Sequence, residues 1–212
     1  MVSRLNVWLA VAVLTCGVAA CSSAATITDE SVVGDFSNSG AANTITKVNF
    51  TAGSNQILGA TGRNSAGAVD RDYLTFTVPT GLGLTAITPL PGTQSAGPLG
   101  LSFIGLEAGN QLTLAPTAAT AAGLLGWAHY STSDIGVNIL NTMATPNTGS
   151  SGFSVPLGPG DYAVWIQELS SGSLHYGFDF ALGQVPEPGT WLLLVSGITL
   201  FGAALRSRRR IS

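Results

Sequence analysis

Between residues 26 and 184 apolar and polar side chains alternate with a period of two, the pattern of strands that bury one face. The clearest run sets Leu174, Tyr176, Phe178, Phe180 and Leu182 on one face. Residues 161–168 set Tyr162, Val164 and Ile166 on one face and Trp165 on the other. These two strands are expected to form a hairpin across residues 169–173. Residues 73–78 align Leu74, Phe76 and Val78, and Pro79 ends the run because it has no N–H to give to a ladder. Further strands are expected at 44–50, 56–60, 82–88, 99–106, 112–115 and 153–157. Residues 117–130 are Ala-rich and fit either a short helix or, after Gly123, a strand. Many short strands separated by Gly, Pro, Asn and Ser predict a mostly β fold with at most one short helix. The architecture expected is a β-sandwich, jelly-roll-like, spanning 26–184.

The two ends break this alternation with unbroken apolar runs. Val7 to Leu14 follows Arg4 and precedes small residues ending in Ser23-Ala24-Ala25. A basic start, a short apolar run and a small-x-small site read as an export signal over residues 1–25. Val18-Ala19-Ala20-Cys21 offers a competing site, at which Cys21 would be lipidated. Near the other end, Trp191 to Leu205 carries no charge and precedes a tail holding Arg206, Arg208, Arg209 and Arg210. As a helix, 191–205 would span about 22 Å at 1.5 Å per residue, short of the roughly 30 Å hydrocarbon core. The arginine-rich tail, 206–212, is expected to stay in the cytoplasm and leave the body outside.

Charge sharpens this layout. The chain carries 8 basic and 11 acidic residues, a net of −3. Between the signal and Val185 only Lys47, Arg63 and Arg71 are basic, against ten carboxylates. Such a body repels phosphate backbones, so no nucleic acid is expected as a partner. Both cysteines, Cys16 and Cys21, fall in or beside the signal, so the body has no disulfide and no thiolate.

Just before the apolar run stands Val185-Pro186-Glu187-Pro188-Gly189-Thr190. The prolines fix φ and remove donors, which keeps this stretch extended and outside the helix behind it. Residues 185–212, with their proline motif at 185–190, apolar helix and basic tail, resemble the PEP-CTERM sorting signal of Gram-negative bacteria. Pro186, Glu187 and Pro188 match its motif residue by residue. The resemblance implies a membrane protease-transpeptidase, exosortase, as partner, and a membrane-anchored precursor processed for the cell surface. A plain single-span anchor is the alternative. The body, through Asp70-Arg71-Asp72-Tyr73-Leu74-Thr75-Phe76-Thr77-Val78-Pro79 and Leu157-Gly158-Pro159-Gly160-Asp161-Tyr162-Ala163-Val164-Trp165, resembles the bacterial pre-peptidase C-terminal domain, a small β-sandwich of secreted proteins.

Chemistry is sparse in the body. No Gly-x-Ser-x-Gly elbow, His-Glu-x-x-His or phosphate-binding loop occurs. His129 and His175 each adjoin a tyrosine on an expected strand and read as strand-face histidines. Asp70 and Asp72 point the same way on one strand and read first as its solvated entrance and second as weak candidates for Ca²⁺. With no ligand-rich loop beside them, neither a bound metal nor another cofactor is expected, and Ca²⁺ is not expected to be needed for folding. Trp127 and Trp165 read first as sandwich core and second as sugar-stacking platforms. The function expected is a non-enzymatic, exported cell-surface or matrix protein, with extracellular polysaccharide as a further partner. The alternative is a carbohydrate- or Ca²⁺-binding module. A hydrolase using Asp72 with Glu168 has no supporting motif.

Overall fold

The computed structural model describes residues 25–185. Cys21, the rest of the export signal before Ala25, the motif from Pro186 onward, the apolar run and the arginine tail lie outside the described residues. No described helix is long and apolar enough to cross a membrane.

The body is mostly β. Its strands are β1 (Thr26–Asp29), β2 (Thr46–Lys47), β3 (Gly53–Arg63), β4 (Val69–Val78), β5 (Leu82–Pro89), β6 (Ser102–Ala108), β7 (Gly126–Tyr130), β8 (Gly160–Gln167) and β9 (Gly172–Gln184). Two one-turn α-helices, α1 (Glu30–Val33) and α2 (Leu140–Ala144), and two 3₁₀ turns at Pro98–Gly100 and Thr132–Asp134 complete it. One sheet runs β5-β9-β3 with β1 added parallel to β3. The other runs β4-β8-β6-β7 with β2 parallel to β4. They join only where β3 turns into β4, through the pairs Gly62–Asp70 and Arg63–Val69. The result is a nearly closed, sandwich-like fold.

The alternation in the sequence explains the packing. From one sheet Ile57, Tyr176, Phe178, Phe180, Leu84 and Ile87 point inward. They meet Leu74, Phe76, Ile104, Leu106, Val164 and Ile166 from the other. Phe76 packs on Phe180 at 5.6 Å between ring centroids, and Tyr130 meets Phe178 edge-on at 4.9 Å. Each such fully buried side chain contributes about 1.5–3 kcal/mol by leaving water. Leu140 and Met143 of α2 close one side of the core. A second cluster lies on the outer face of the β4-β8-β6-β7 sheet. There Tyr73, Phe103, Trp127 and Trp165 pack beneath the loop that carries Leu112, Leu114 and Leu124.

Several expectations need correction. β8 and β9 form no hairpin. Each is flanked on both sides, β8 by β4 and β6, β9 by β3 and β5, so neither has an edge free for the other. The link after β8 instead crosses between sheets. Glu168 pins it by accepting hydrogen bonds from the N–H groups of Leu169 (2.7 Å) and Ser170 (3.0 Å). Residues 112–115 form no strand, because they belong to the loop covering the outer cluster. Residues 153–157 contribute one bridge, Leu157 to Leu84. Only 46–47 of the expected strand 44–50 pairs, and Val48 and Phe50 turn into the core. The Ala-rich stretch gives turns and then β7, with no helix. Two short helices form where at most one was expected. α2 forms because Leu140 and Met143, three residues apart, face the core together.

Candidate functional site

The inward register of β4 contains an anomaly. Asp72 has the same parity as Leu74, Phe76 and Val78, so its carboxylate points into the sandwich and is fully buried. Across the interior, Tyr176 of β9 donates its hydroxyl to Asp72 Oδ2 at 2.6 Å. Asp72 Oδ1 is buried with no partner. Gly59, opposite Tyr176 in the β3–β9 ladder, makes room for that ring: a Cβ there would lie 2.5 Å from the Tyr176 oxygen.

α1 and the residues just after it bring two more acids to this place, Glu30 and Asp35. Asp29 caps the helix by accepting from the Ser31 N–H (2.9 Å). Glu30 then reaches back to β3, accepting from the N–H of Ala60 (2.7 Å) and of Phe36 (3.1 Å). Carboxylate oxygens of Glu30, Asp35 and Asp72 all lie within 4.8 Å of one another. Glu30 is half-buried, Asp35 exposed and Asp72 buried. Burial pushes the Asp72 carboxyl up to about 8; the Tyr176 hydroxyl opposes this, and the charges of Glu30, Asp70 and Asp35 add to it. Burial likewise raises Glu30 to about 7, against the hydrogen bond from Phe36 and with the help of Asp35. The nearest cationic side chain in sequence is engaged elsewhere: Arg71 Nε donates to Gln167 Oε1 (2.6 Å). A cavity of about 430 Å³, bordered by Glu30, Gly59, Ala60 and Tyr176, opens on the Glu30 side, and neither Asp35 nor Asp72 lines it.

Three carboxylates offer only oxygen ligands, one from each residue, which suits a hard cation such as Ca²⁺ better than a transition metal. Asp70 is not in this group. It accepts from Asn38 Nδ2 (2.9 Å) at the end of β4, and burial raises its carboxyl from the ordinary value. The strand pair Asp70 and Asp72 is thus split. Asp72 finds its companions in Glu30 and Asp35, which linear spacing did not reveal.

The other named residues fall as follows. His175 is exposed on β9, and His129 is exposed on β7, with its Nδ1 at 3.2 Å from the Ser102 carbonyl oxygen. The Ser102 hydroxyl donates to Glu168, not to His129. Burial pushes Glu168 up. The Ser102 hydroxyl and the N–H groups of Ser170, Ala96 and Leu169 outweigh it and hold the carboxyl below its ordinary value. Trp165 is buried, and Trp127 is partly exposed beside it in the outer cluster. Val185, the last described residue, donates its N–H to the Gly81 carbonyl (3.0 Å).

Comparison with known proteins bears on that junction. Residues 184–210 match the family model of the PEP-CTERM protein-sorting motif. The match spans the proline motif, the apolar run and the arginines of the tail. It marks the chain as an exported protein addressed to an exosortase in the membrane. No curated protein matches the chain.

Proposed function

We propose that this chain is a non-enzymatic protein of the cell surface or extracellular matrix. An export signal at 1–25 carries it across the inner membrane, and the helix at 191–205 holds it there as a precursor. An exosortase then reads Pro186, Glu187 and Pro188 and releases the body for the envelope or its surrounding polymer. The observation that carries this reading is the sorting-motif match at 184–210. Its placement supports the reading too, since the matched residues begin at Gln184, where β9 ends. The Ser102–His129 neighbourhood supports a non-catalytic body: the Ser102 hydroxyl is buried and committed to Glu168, and the His129 Nδ1 faces the Ser102 carbonyl rather than its hydroxyl. We read the body as a jelly-roll-like relative of the pre-peptidase C-terminal domain, a reading supported by its two packed sheets.

Intact-mass analysis of protein recovered from the native host tests the sorting step. The mature chain is expected to lack residues 191–212. Changing Pro186 and Glu187 to Ala is expected to leave the precursor uncut and membrane-bound. A mature chain still ending at Ser212 would make the segment a plain anchor.

A second reading is favoured by the unpaired, buried Asp72 Oδ1 among three carboxylates. In it the body binds one hard cation between Glu30, Asp35 and Asp72, which ties α1 to β3 and β4. The cation would strengthen a body that folds without it.

A further inference from the structure

The outer face of the β4-β8-β6-β7 sheet holds a cavity of about 500 Å³ that the sorting reading does not use. That volume is within the range of small-ligand sites. Its floor is aromatic. Phe103 packs against Trp165 at 4.7 Å and lies nearly parallel to Trp127 at 6.0 Å. His129 meets Trp127 edge-on at 5.2 Å. Trp127 Nε1 donates to the Asn147 carbonyl (3.1 Å), which fixes the plane of its partly exposed ring. A ring held in advance loses little freedom when a ligand stacks on it.

No Asp, Glu, Lys or Arg lines the cavity, although the body carries ten carboxylates. An anionic or cationic ligand would therefore find no counter-charge there. Donors are present all the same. Gln167 gives its side-chain oxygen to Arg71, and its amide N–H groups have no partner among the described residues. A wholly apolar ligand would leave these donors unpaired, at a cost. On the rim, Leu99 is 95% exposed and holds a φ of 64°, the left-handed region that a leucine rarely adopts. Strain at an exposed apolar residue beside a cavity is the kind kept at binding sites.

We propose that this cavity binds a neutral saccharide. The apolar C–H face of a pyranose stacks on Trp127, and its hydroxyls accept from Gln167 and meet His129 at the edge. The ligand class goes beyond the sorting reading and is tested separately from it.

The full-length protein in mild detergent is titrated calorimetrically with maltohexaose, cellohexaose and chitohexaose. A hexamer of galacturonate serves as the anionic control. Saturable binding of at least one neutral hexamer is expected, with none of the anionic one. Trp127→Ala should weaken it at least about tenfold, the scale of losing a buried aromatic anchor, while Trp127→Phe should keep most of it. If Trp127→Ala melts early, Leu99→Ala replaces it, since that side chain is in solvent and is expected to weaken binding without altering the melt. Absence of neutral-saccharide binding by folded protein would overturn the proposal. So would binding indifferent to both Trp127→Ala and Leu99→Ala, or concentration-dependent self-association alone, which would make the face an interface between copies. C-terminal processing is read by mass, so a negative titration leaves the sorting reading intact.

Discussion

Replacing Asp72 by Asn should make the protein more stable at pH 8 and remove most of its sensitivity to alkali. An unfolded Asp titrates near 3.8, and the buried Asp72 is held up to about 8. Between those values the folded chain keeps a proton that the unfolded chain has released. The unfolded state then binds fewer protons, so stability falls as pH rises. The stabilisation is fully present below about pH 4, is lost as pH climbs through about 8, and changes little beyond. One pK unit is worth about 1.4 kcal/mol, so the whole shift from 3.8 to about 8 corresponds to on the order of 6 kcal/mol as an upper bound. Even a loss of about 2 kcal/mol moves Tm by roughly 4–8 °C in a domain of this size. Glu30, raised to about 7, adds to the fall over the lower part of the same window.

The assay is a set of thermal melts of the full chain with chelator present, from pH 5 to 8.5. The wild type should lose several degrees across that range. Asp72→Asn still offers an oxygen to the Tyr176 hydroxyl but has no proton to lose, so its profile should be much flatter and should cross above the wild type near pH 8. Millimolar Ca²⁺ should raise the wild-type Tm at pH 8, by offering the ionised acids a counter-charge, and should do little for Asp72→Asn. Folding in chelator is expected throughout. A wild-type Tm that holds or rises from pH 5 to 8 would refute the reasoning, as would equal slopes for wild type and Asp72→Asn.

Gly59→Ala should cost about 1–3 kcal/mol or more in urea melts, because its Cβ would fall 2.5 Å from the Tyr176 hydroxyl oxygen and drive that ring off Asp72. Leu140→Ala should cost about 2–5 kcal/mol by the same measurement, since Leu140 is fully buried where α2 closes the core. Changing Arg208, Arg209 and Arg210 to Ser should impair retention and orientation without touching the proline motif. Protease access to the tail in spheroplasts would detect it, and an unchanged pattern would count against an orienting role for those arginines.

The core was legible in the sequence wherever parity was enough. Leu74, Phe76 and Val78, the set from Tyr176 to Leu182, and Tyr162, Val164 and Ile166 all reach the interior as their alternation required. Trp165 falls on the opposite face for the same reason. Pairing was less legible, because period-2 alternation fixes which side a residue faces and not which strand lies beside it. That is how β8 and β9, neighbours in sequence with a turn between them, came to lie in different sheets. The acid cluster was half legible. Parity puts Asp72 on the same face as Leu74 and Phe76, yet paired with Asp70 it read as a solvated strand entrance, and the structure buries it instead, where a carboxylate calls for a partner. The partners Glu30 and Asp35 depend on β1 joining β3 in parallel, a long-range pairing that leaves no local trace. Tyr176 shows the same division. Its inward direction follows from its place between Leu174 and Phe178, but its role depends on Gly59, more than a hundred residues away, being too small to exclude its ring. The sorting segment is the converse case. Its information is short-range, a fixed order of prolines, apolar residues and arginines that a membrane enzyme reads without a folded context. It was therefore recognisable from the linear order alone, and the motif match falls on the same residues.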